Sequence, residues 1–212
     1  MTTVESTQSA ARETIVVLGA ALYERGITPG RTGNLSIRVG DHVVMTPTNA
    51  CLGRLNPNRL SVITLNGEHV SGDAPTKESA LHLALYAHAS DIGAVAHVHS
   101  THAVAVSILA DIDQAEPLPP LTAYFVMRVG RLPLIRYFAP GDPALARAVA
   151  ELPNDIRCAL LANHGSIAAA PTLESAVDAI EEIEETAKLW LMLAGRRIRQ
   201  VPAADVGGLR RS

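Results

Sequence analysis

The sequence predicts a single α/β domain. Segments with apolar residues at helical spacing alternate with short apolar runs typical of strands, and Gly40-Asp41 and Asn66-Gly67 mark two hairpin turns. With 212 residues, 48% of them hydrophobic, the chain can bury one sizeable core. We therefore expect one domain over residues 1–212, with a tail after about residue 195 that is flexible or reaches a neighbouring subunit.

The first half of the chain is predicted to contain a helix and two hairpins. Apolar residues at helical spacing, followed by a glycine that fits a C-cap, favour a helix over residues 10–25. Apolar and β-branched runs on both sides of Gly40-Asp41 favour strands at residues 35–39 and 42–46. Asn66-Gly67 is typical of a tight turn, so two further strands are expected at residues 60–65 and 68–71.

A second helix, a buried strand and a third helix are expected next. The helix covers residues 75–89, with Thr76 as its N-cap and with Lys77 and Glu78 in its first turn. Small and branched apolar residues at 92–99 indicate the buried strand, and residues 101–109 are expected to be helical.

The rest of the chain again alternates strands with helices. Apolar runs predict strands at residues 132–137 and 158–162, with a short helix after Pro143 between them. The longest helix is expected over residues 172–193, where apolar residues keep helical spacing. A solvated face of this helix is predicted for four of its acidic residues, Glu181, Glu182, Glu184 and Glu185.

The composition argues against two classes of partner. A formal net charge of -3 leaves no surplus of cations for a nucleic-acid backbone. No segment reaches the roughly 18 uninterrupted apolar residues of a membrane span, and residues 1–10 lack the pattern of a signal peptide. Cys51 and Cys158 lack the spacing of a metal or redox motif and are expected to be reduced. We expect a soluble, cytoplasmic protein that binds neither nucleic acid nor membrane.

A pair of histidines on one strand is the first candidate site. Residues i and i+2 of a strand point to the same face, so His97 and His99 would present two imidazoles side by side. Such a pair can hold one metal ion. Two hydrogen-bonded histidines near a sheet edge are the alternative, and the spacing alone leaves both interpretations open.

Two further residues favour a metal site. His164 ends a separate apolar strand, and Gly165 after it would let the backbone turn and leave the imidazole at the mouth of the sheet. Glu78 precedes the histidine strand and could serve as acid/base and as an occasional fourth ligand. Three histidines with an open position are typical of a catalytic divalent site, with Zn²⁺ as the first choice and Mn²⁺ or Co²⁺ as alternatives. His82 and His102 are expected to be structural or to support the ligands.

Three breaks between elements form a second group of candidate residues. Thr32-Gly-Asn34, Thr46-Pro-Thr-Asn49 and Pro75-Thr-Lys77 each combine small polar side chains with backbone N–H groups outside regular elements. The third break also carries the charge of Lys77 and starts a helix, whose N-terminus favours an anion. Each break alone would be an ordinary turn or cap, but their recurrence predicts a phosphate site.

These motifs together resemble a known family. Gly33-Asn-Leu-Ser36, Thr46-Pro-Thr48, Glu78 with the paired histidines, and Asn163-His-Gly165 are similar to the class II aldolase/adducin family, over about residues 11–193. The resemblance implies a three-layer α/β/α domain around a central, largely antiparallel sheet. It also implies a C4 homotetramer with active sites between subunits.

The resemblance also implies roles for individual residues. His97, His99 and His164 would bind zinc, and Glu78 would be the acid/base. The residues implied around a substrate phosphate are Asn34, Thr48, Asn49, Thr76 and Lys77. Lys77 replaces a small hydroxyl residue of the fuculose-phosphate aldolases, so a substrate carboxylate is its alternative partner.

Three residues farther from these motifs are weaker candidates. Tyr124 matches an aldolase tyrosine that reaches a neighbouring subunit's site, and interface packing is its alternative role. Arg128 is a candidate contact for a substrate carboxylate, and a surface ion pair is the alternative. Arg54 is a candidate of the same kind.

Within the family, the segments at residues 46–55, 70–73, 97–102 and 122–130 are most similar to decarboxylases of 3-oxo-tetronate 4-phosphates. The resemblance implies a metal-dependent lyase that releases CO₂ through a metal-stabilised enediolate and leaves dihydroxyacetone phosphate, with Glu78 returning a proton to C2. A fuculose-phosphate-type aldolase is the alternative, because aldol cleavage uses the same enediolate. From another class, the alternative is a non-catalytic adducin-like assembly module, against which the three histidines and Glu78 argue.

Overall fold

A mixed sheet forms the middle layer of the structure, a computed structural model that describes residues 3–139 and 141–210. Its strands are β1 Asn34–Val39, β2 His42–Met45, β3 Ser61–Thr64, β4 His69–Ser71, β5 Ala94–Val98, β6 Leu134–Ile135, β7 Cys158–Leu161 and β8 Gly165–Ala170. The order across the sheet is β4-β3-β2-β1-β5-β8-β7-β6. Only the β6–β7 pair in these described ranges is parallel, and the other neighbours run antiparallel.

Helices cover both faces of this sheet. They are α1 Thr3–Glu24, α2 Ser79–His88, α3 Thr101–Ile108, α4 Ala123–Arg128, α5 Pro143–Ala150, α6 Leu173–Met192 and α7 Ala203–Leu209. Successive residues of a strand point to opposite faces of the sheet. On β5, Ala96 packs into the core beneath α1, α3, α4 and α6, and Val95 packs into the core beneath α2 and α5. The expected three-layer α/β/α arrangement with a largely antiparallel sheet is therefore confirmed.

Side-chain caps fix the start of three helices in the second half of the chain. The Thr122 hydroxyl accepts the N–H of Phe125 at the start of α4, and the Asp142 carboxylate accepts the N–H of Ala144 at the start of α5. Thr172 caps α6 in the same way. Each cap satisfies a backbone donor that has no partner inside the helix, which sets where the helix begins.

The start of α2 differs from the prediction. The helix begins at Ser79, and Glu78 rather than Thr76 occupies its N-cap position. Pro75 forms a β-bridge with Pro47, and the N–H of Thr76 donates to Thr46 O at 3.3 Å. The Thr76 hydroxyl accepts the N–H of Glu78 at 3.3 Å. These contacts hold residues 75–78 against the end of β2, so the segment forms a turn instead of the first helical turn.

Strand β8 was not predicted from the sequence, although it lies in the middle of the sheet between β5 and β7. A Cβ on Gly165 would lie 2.2 Å from Val98 O, so glycine is required there by the close approach of β5. The turn before β8 instead depends on Asn163, whose φ is 58°. Gly165 therefore permits the close packing of β8 against β5. The sequence predicted that Gly165 would let the backbone turn, but Asn163 is the residue that makes this turn.

The tail after residue 195 lies against its own chain. The N–H of Val201 donates to Pro120 O at 2.9 Å, and Arg210 pairs with Glu116 at 3.0 Å. Val206 and Leu209 of α7 pack against the core. Residues 211 and 212 lie outside the described residues. No helix within the described ranges has the length and apolar character needed to cross a membrane.

Candidate metal centre

Four side chains from separate parts of the chain meet at one edge of the sheet. His97 lies on β5 and His99 directly beyond its end, His164 immediately precedes β8, and Glu78 immediately precedes α2. One ligand atom from each of the four lies within 4.8 Å of all the others. The histidines that the sequence predicted as ligands and the predicted acid/base are thus brought together.

The carboxylate of Glu78 lies between two of the imidazoles. Its Oε2 is 3.4 Å from His97 Nε2, and its Oε1 is 3.1 Å from His164 Nε2. His99 Nε2 lies 3.1 Å from His97 Nε2. The three rings are close together, with centroids 4.6 to 4.9 Å apart. Nitrogen atoms that face one another at this distance are arranged as ligands around a shared point.

A backbone hydrogen bond sets the orientation of His97. Its Nδ1 donates to Ser166 O on β8 at 2.8 Å, and the ring has no exposed surface. With the proton on Nδ1, the lone pair of Nε2 faces Glu78 and the other histidines. This is the arrangement that metal-binding histidines use, because the second nitrogen fixes the tautomer and the ring orientation.

The residues at this site fit a divalent cation. Three imidazole nitrogens and one carboxylate oxygen are the donors that Zn²⁺ and related ions prefer. Glu78 Oε1 is buried with His164 Nε2 3.1 Å away, but it accepts no well-aligned hydrogen bond within the described residues, and an unpaired charge is costly in such a place. A cation held by this cluster would satisfy that oxygen.

Protonation of the cluster suits metal binding. Burial raises the pKa of Glu78, but the neighbouring His97, His164 and Asn34 side chains outweigh burial and hold this pKa well below its usual value. Burial and the neighbouring His97 and His164 lower the pKa of His99 to about 3. At neutral pH the site therefore offers an ionised carboxylate and a neutral His99 imidazole, which are the forms that bind metals.

A cavity of about 220 Å³ opens beside the cluster, and Glu78, His99 and His164 are among the residues that line it. The residues predicted around a phosphate all line it: Asn34, Thr48, Asn49, Thr76 and Lys77. Arg31 lines it as well, and sequence analysis missed this residue. The signal was available, because Arg31 is a cation directly before the first of the three breaks, Thr32-Gly-Asn34. The lining of the cavity thus combines candidate metal ligands with polar side chains and two cations.

Asn34 has a contact that the phosphate role does not include. Its Nδ2 donates to Glu78 Oε2 at 2.7 Å, and the residue is only 4% exposed. Asn34 lies on β1 directly opposite His97 of β5, so the antiparallel pairing of the two strands places both residues next to Glu78.

Tyr124 and Arg128 lie elsewhere on α4. Arg128 forms an ion pair with Asp178 on α6, and its guanidinium carbon is 5.6 Å from the centroid of the Tyr124 ring. Tyr124 is 60% exposed. Neither residue is among the described residues that line the cavity beside Glu78. Arg54 lines a second cavity, of about 430 Å³, that shares Arg31, Thr48 and Asn49 with the first.

His102 does not join the metal cluster but supports the turn that follows it. Its Nδ1 lies 2.7 Å from the carboxylate of Glu184 on α6. The backbone N–H groups of His102 and Ala103 donate to the same carboxylate at 3.1 and 2.9 Å. Glu184 is buried, so the prediction that it belongs to a solvated acidic face was wrong. Its partner is the N-terminus of α3, which the helical pattern of α6 alone does not reveal.

Comparison with known proteins identifies the family. The family model described as Class II Aldolase and Adducin N-terminal domain matches residues 13–191. A 3-oxo-tetronate 4-phosphate decarboxylase from Pectobacterium atrosepticum is 42% identical over 205 residues, which cover 96% of this chain and 94% of the relative. An L-fuculose phosphate aldolase from Methanocaldococcus jannaschii is 33% identical over 81% of this chain and 90% of its own length.

The fold has the same relatives. The crystal structure of YgbL from Klebsiella pneumoniae, described as an aldolase/epimerase/decarboxylase, superposes with a TM-score of 0.93 at 43% sequence identity. The match covers 96% of this chain and 99% of that one. The residues that gave the sequence-based resemblance lie at the site described above. This chain belongs to the class II aldolase and adducin family.

Proposed function

We propose that this protein is a carboxy-lyase that converts a 3-oxo-tetronate 4-phosphate into dihydroxyacetone phosphate and CO₂. The observation that carries the proposal is the cavity itself, whose lining combines Glu78, His99 and His164 of the metal cluster with the cations Lys77 and Arg31. The relative named as a decarboxylase supports this choice of reaction, because it is 42% identical to nearly the whole chain.

The lining of the cavity offers partners for both charged groups of such a substrate, its phosphate and its carboxylate. The phosphate would bind at Thr48, Asn49 and Thr76, with charge supplied by Lys77 and Arg31. Lys77 and Arg31 are both exposed, and each can also meet the substrate carboxylate. A substrate whose phosphate binds to these residues would direct the keto and hydroxyl carbons of its four-carbon chain towards Glu78 and the histidines.

His97, His99 and His164 would hold the divalent ion, with Glu78 as an occasional fourth ligand. When bound, the ion supplies Lewis acidity that stabilises the enediolate left by the departure of CO₂. Loss of CO₂ leaves an electron pair on C2, and one proton must replace the carboxyl group. We expect Glu78 to relay it, because its carboxylate lines the cavity; since this carboxylate is ionised at neutral pH, it would first take a proton from solvent and then pass it to C2.

Aldol cleavage of a fuculose-type phosphate is the second candidate function. The aldolase from M. jannaschii shares the family, and both reactions pass through an enediolate. Its lower identity, 33% against 42% for the decarboxylase, favours decarboxylation.

A substrate panel separates the two activities. Metal-loaded protein is incubated with the D- and L-forms of 3-oxo-tetronate 4-phosphate and with fuculose 1-phosphate, and CO₂ and aldehyde are measured separately. Release of CO₂ from a 3-oxo-tetronate 4-phosphate, without aldehyde from fuculose 1-phosphate, supports the proposal. Aldehyde release without CO₂ would transfer the assignment to an aldolase. Turnover of neither class by metal-loaded protein would argue for the non-catalytic module.

Zinc as the resident ion, a C4 homotetramer and a cytoplasmic location complete the proposal. The three-histidine donor set supports zinc. The exposed ring of Tyr124 supports a role at a neighbouring subunit's site, with Arg128 beside it. Metal analysis of purified protein tests the identity of the ion, and light scattering tests the tetramer. An undamaged sample that holds no divalent ion, or one that is monomeric at working concentration, would overturn the corresponding part.

A further inference from the structure

A buried line of hydrogen bonds leads from α2 through β1 to Glu78. The hydroxyl of Tyr86 lies 2.8 Å from Ser36 Oγ, and Ser36 Oγ lies 2.7 Å from His82 Nδ1. His82 Nε2 is hydrogen-bonded to Asn34 Oδ1, and Asn34 Nδ2 donates to Glu78 Oε2 at 2.7 Å. Ser36 and His82 have no exposed surface, and Tyr86 is 4% exposed. Four side chains thus form a continuous polar path inside the protein.

The direction of each hydrogen bond in this path follows from chemistry. His82 is fully buried, and its two ring nitrogens face the uncharged Ser36 hydroxyl and Asn34 amide, so the ring is neutral and carries one proton. If that proton were on Nδ1, Asn34 would have to donate to Nε2 and would turn its Oδ1 towards the Glu78 carboxylate. Two acceptor oxygens would then face each other in a buried place, which is unfavourable. The proton therefore lies on Nε2 and is donated to Asn34 Oδ1.

All the donors consequently run towards Glu78. Tyr86 donates to Ser36, Ser36 donates to His82 Nδ1, His82 donates to Asn34, and Asn34 donates to the carboxylate. Such a chain polarises each successive bond in the same sense. Because each acceptor is filled by the donor before it, the Asn34 amide has one satisfied orientation.

We propose that Tyr86, Ser36 and His82 are positioning residues for Glu78, which act by locking the Asn34 amide with its Nδ2 against the carboxylate. The inference rests on the proposed function, in which Glu78 moves the proton at C2. None of these three residues is among those that line the cavity beside Glu78 in the described part of the chain. A change in the path should therefore affect kcat while leaving KM nearly unchanged.

A pair of variants at position 82 tests the proposal. In His82→Phe the apolar ring cannot donate, so Asn34 can turn over and release Glu78. In His82→Gln the side-chain amide can still donate to Asn34 Oδ1. We expect kcat to fall roughly 10- to 100-fold in the Phe variant, as for other residues that support a functional side chain, and to recover in the Gln variant.

Metal content and unfolding temperature are compared in all variants, so that a loss of the fold or of the metal is recognised. His88→Gln is the matched control, because His88 lies at the far end of α2 and its ring is hydrogen-bonded to Pro153 O. Its kcat should equal that of the unmodified protein. If the Phe variant fails to fold, Ser36→Ala takes its place, because it removes the donor that keeps His82 Nδ1 an acceptor.

Crystal structures of the Phe and Gln variants test the same point without a substrate. We expect the Asn34 amide or the Glu78 carboxylate to move in the Phe variant and to stay in place in the Gln variant. A folded Phe variant in which neither the Asn34 amide nor the Glu78 carboxylate has moved, or equal kcat in both variants, overturns the inference. A protein that turns over no substrate at all refutes the proposed function instead, and the two structures still decide whether the path positions Glu78.

Discussion

The carboxylate of Glu184 lies 2.7 Å from His102 Nδ1 and also accepts two backbone N–H groups at the start of α3. Ser100, the N-cap residue of α3, makes no side-chain cap hydrogen bond, so a residue distant in sequence caps this helix. The turn that Glu184 fixes directly follows His99. Glu184 therefore links α6 to the segment that carries a candidate metal ligand.

Replacing Glu184 should destabilise the protein. In Glu184→Gln an amide oxygen remains, but the charge that strengthens these hydrogen bonds is lost, so we expect the free energy of unfolding to fall by about 1.5 to 3 kcal/mol. Urea unfolding measures this change. Glu185→Gln is the matched control, because the Glu185 side chain is 65% exposed and pairs only weakly with Lys188 at 3.7 Å. We expect that control to change stability by about 0.5 kcal/mol or less. Equal effects of the two variants would contradict the capping role.

His97→Ala should abolish metal binding and activity together. The variant removes a ligand and leaves the Ser166 carbonyl without its donor. The protein with its metal should be more stable than the metal-free protein, by about 4 kcal/mol at a metal concentration 1,000 times the dissociation constant. The measurements are metal content and the unfolding temperature with and without Zn²⁺. Full metal occupancy in the variant would remove His97 from the ligand set.

Lys77→Met should weaken substrate binding more than it slows the chemistry. The variant keeps the length of the side chain but removes one cation from the cavity beside Glu78. Loss of one charge-assisted contact to a phosphate or carboxylate should raise KM roughly 10- to 100-fold. Arg59→Met is a suitable control, because Arg59 is paired with Asp73 and lines only the neighbouring cavity. An unchanged KM in the Lys77 variant would show that Arg31 alone supplies the charge.

His82 makes metal-free protein sensitive to mild acid. Its pKa falls from an ordinary value of 6.5 to about 3 in the folded protein, because burial disfavours the charged ring. Below pH 6.5 the unfolded chain therefore binds a proton at His82 that the folded protein does not bind. The contribution of His82 to the free energy of unfolding is fully present above this pH and is lost as the pH falls towards 3. Between pH 6.5 and 5, His82 should lower the free energy of unfolding as the pH falls. The decrease approaches about 1.4 kcal/mol per pH unit once His82 is fully protonated in the unfolded chain.

Urea unfolding at several pH values between 6.5 and 5 checks this expectation. His82→Gln has no titrating group at this position, so the slope of its stability against pH should be smaller by that amount. Identical slopes in the two metal-free proteins would mean that His82 is protonated in the folded state.

Much of the fold was predictable because local patterns and tertiary packing agreed. The two hairpins, the strand with His97 and the long helix with its apolar stripe all formed where predicted, within a few residues. Strand β8 was missed because Ser166 and the three alanines at 168–170 carry little strand propensity, and their position is set by pairing with β5 and β7. The start of α2 was misplaced because contacts with β2 decide the path of residues 75–78, not the local capping pattern.

The candidate site was predictable to a similar extent. The HxH spacing, the isolated His164 and the position of Glu78 before the histidine strand indicated a metal site, and the resemblance then assigned the roles of these residues. The contact between Asn34 and Glu78 was not predictable, because it depends on the antiparallel register of β1 with β5. Glu184 looked like one of several surface glutamates, since only the packed structure shows the N-terminus of α3 against it.

The most direct test of the proposed reaction is to follow it in D₂O with metal-loaded protein and with Glu78→Gln at equal metal content. We expect one CO₂ for each dihydroxyacetone phosphate, and one deuterium on the carbon that carried the carboxyl group. The Gln variant should keep its metal and turn over roughly 10² to 10⁴ times more slowly, which is the usual contribution of general acid/base catalysis. Formation of dihydroxyacetone phosphate at a near-normal rate by the Gln variant would contradict the role of Glu78, and an absence of CO₂ would contradict the reaction itself.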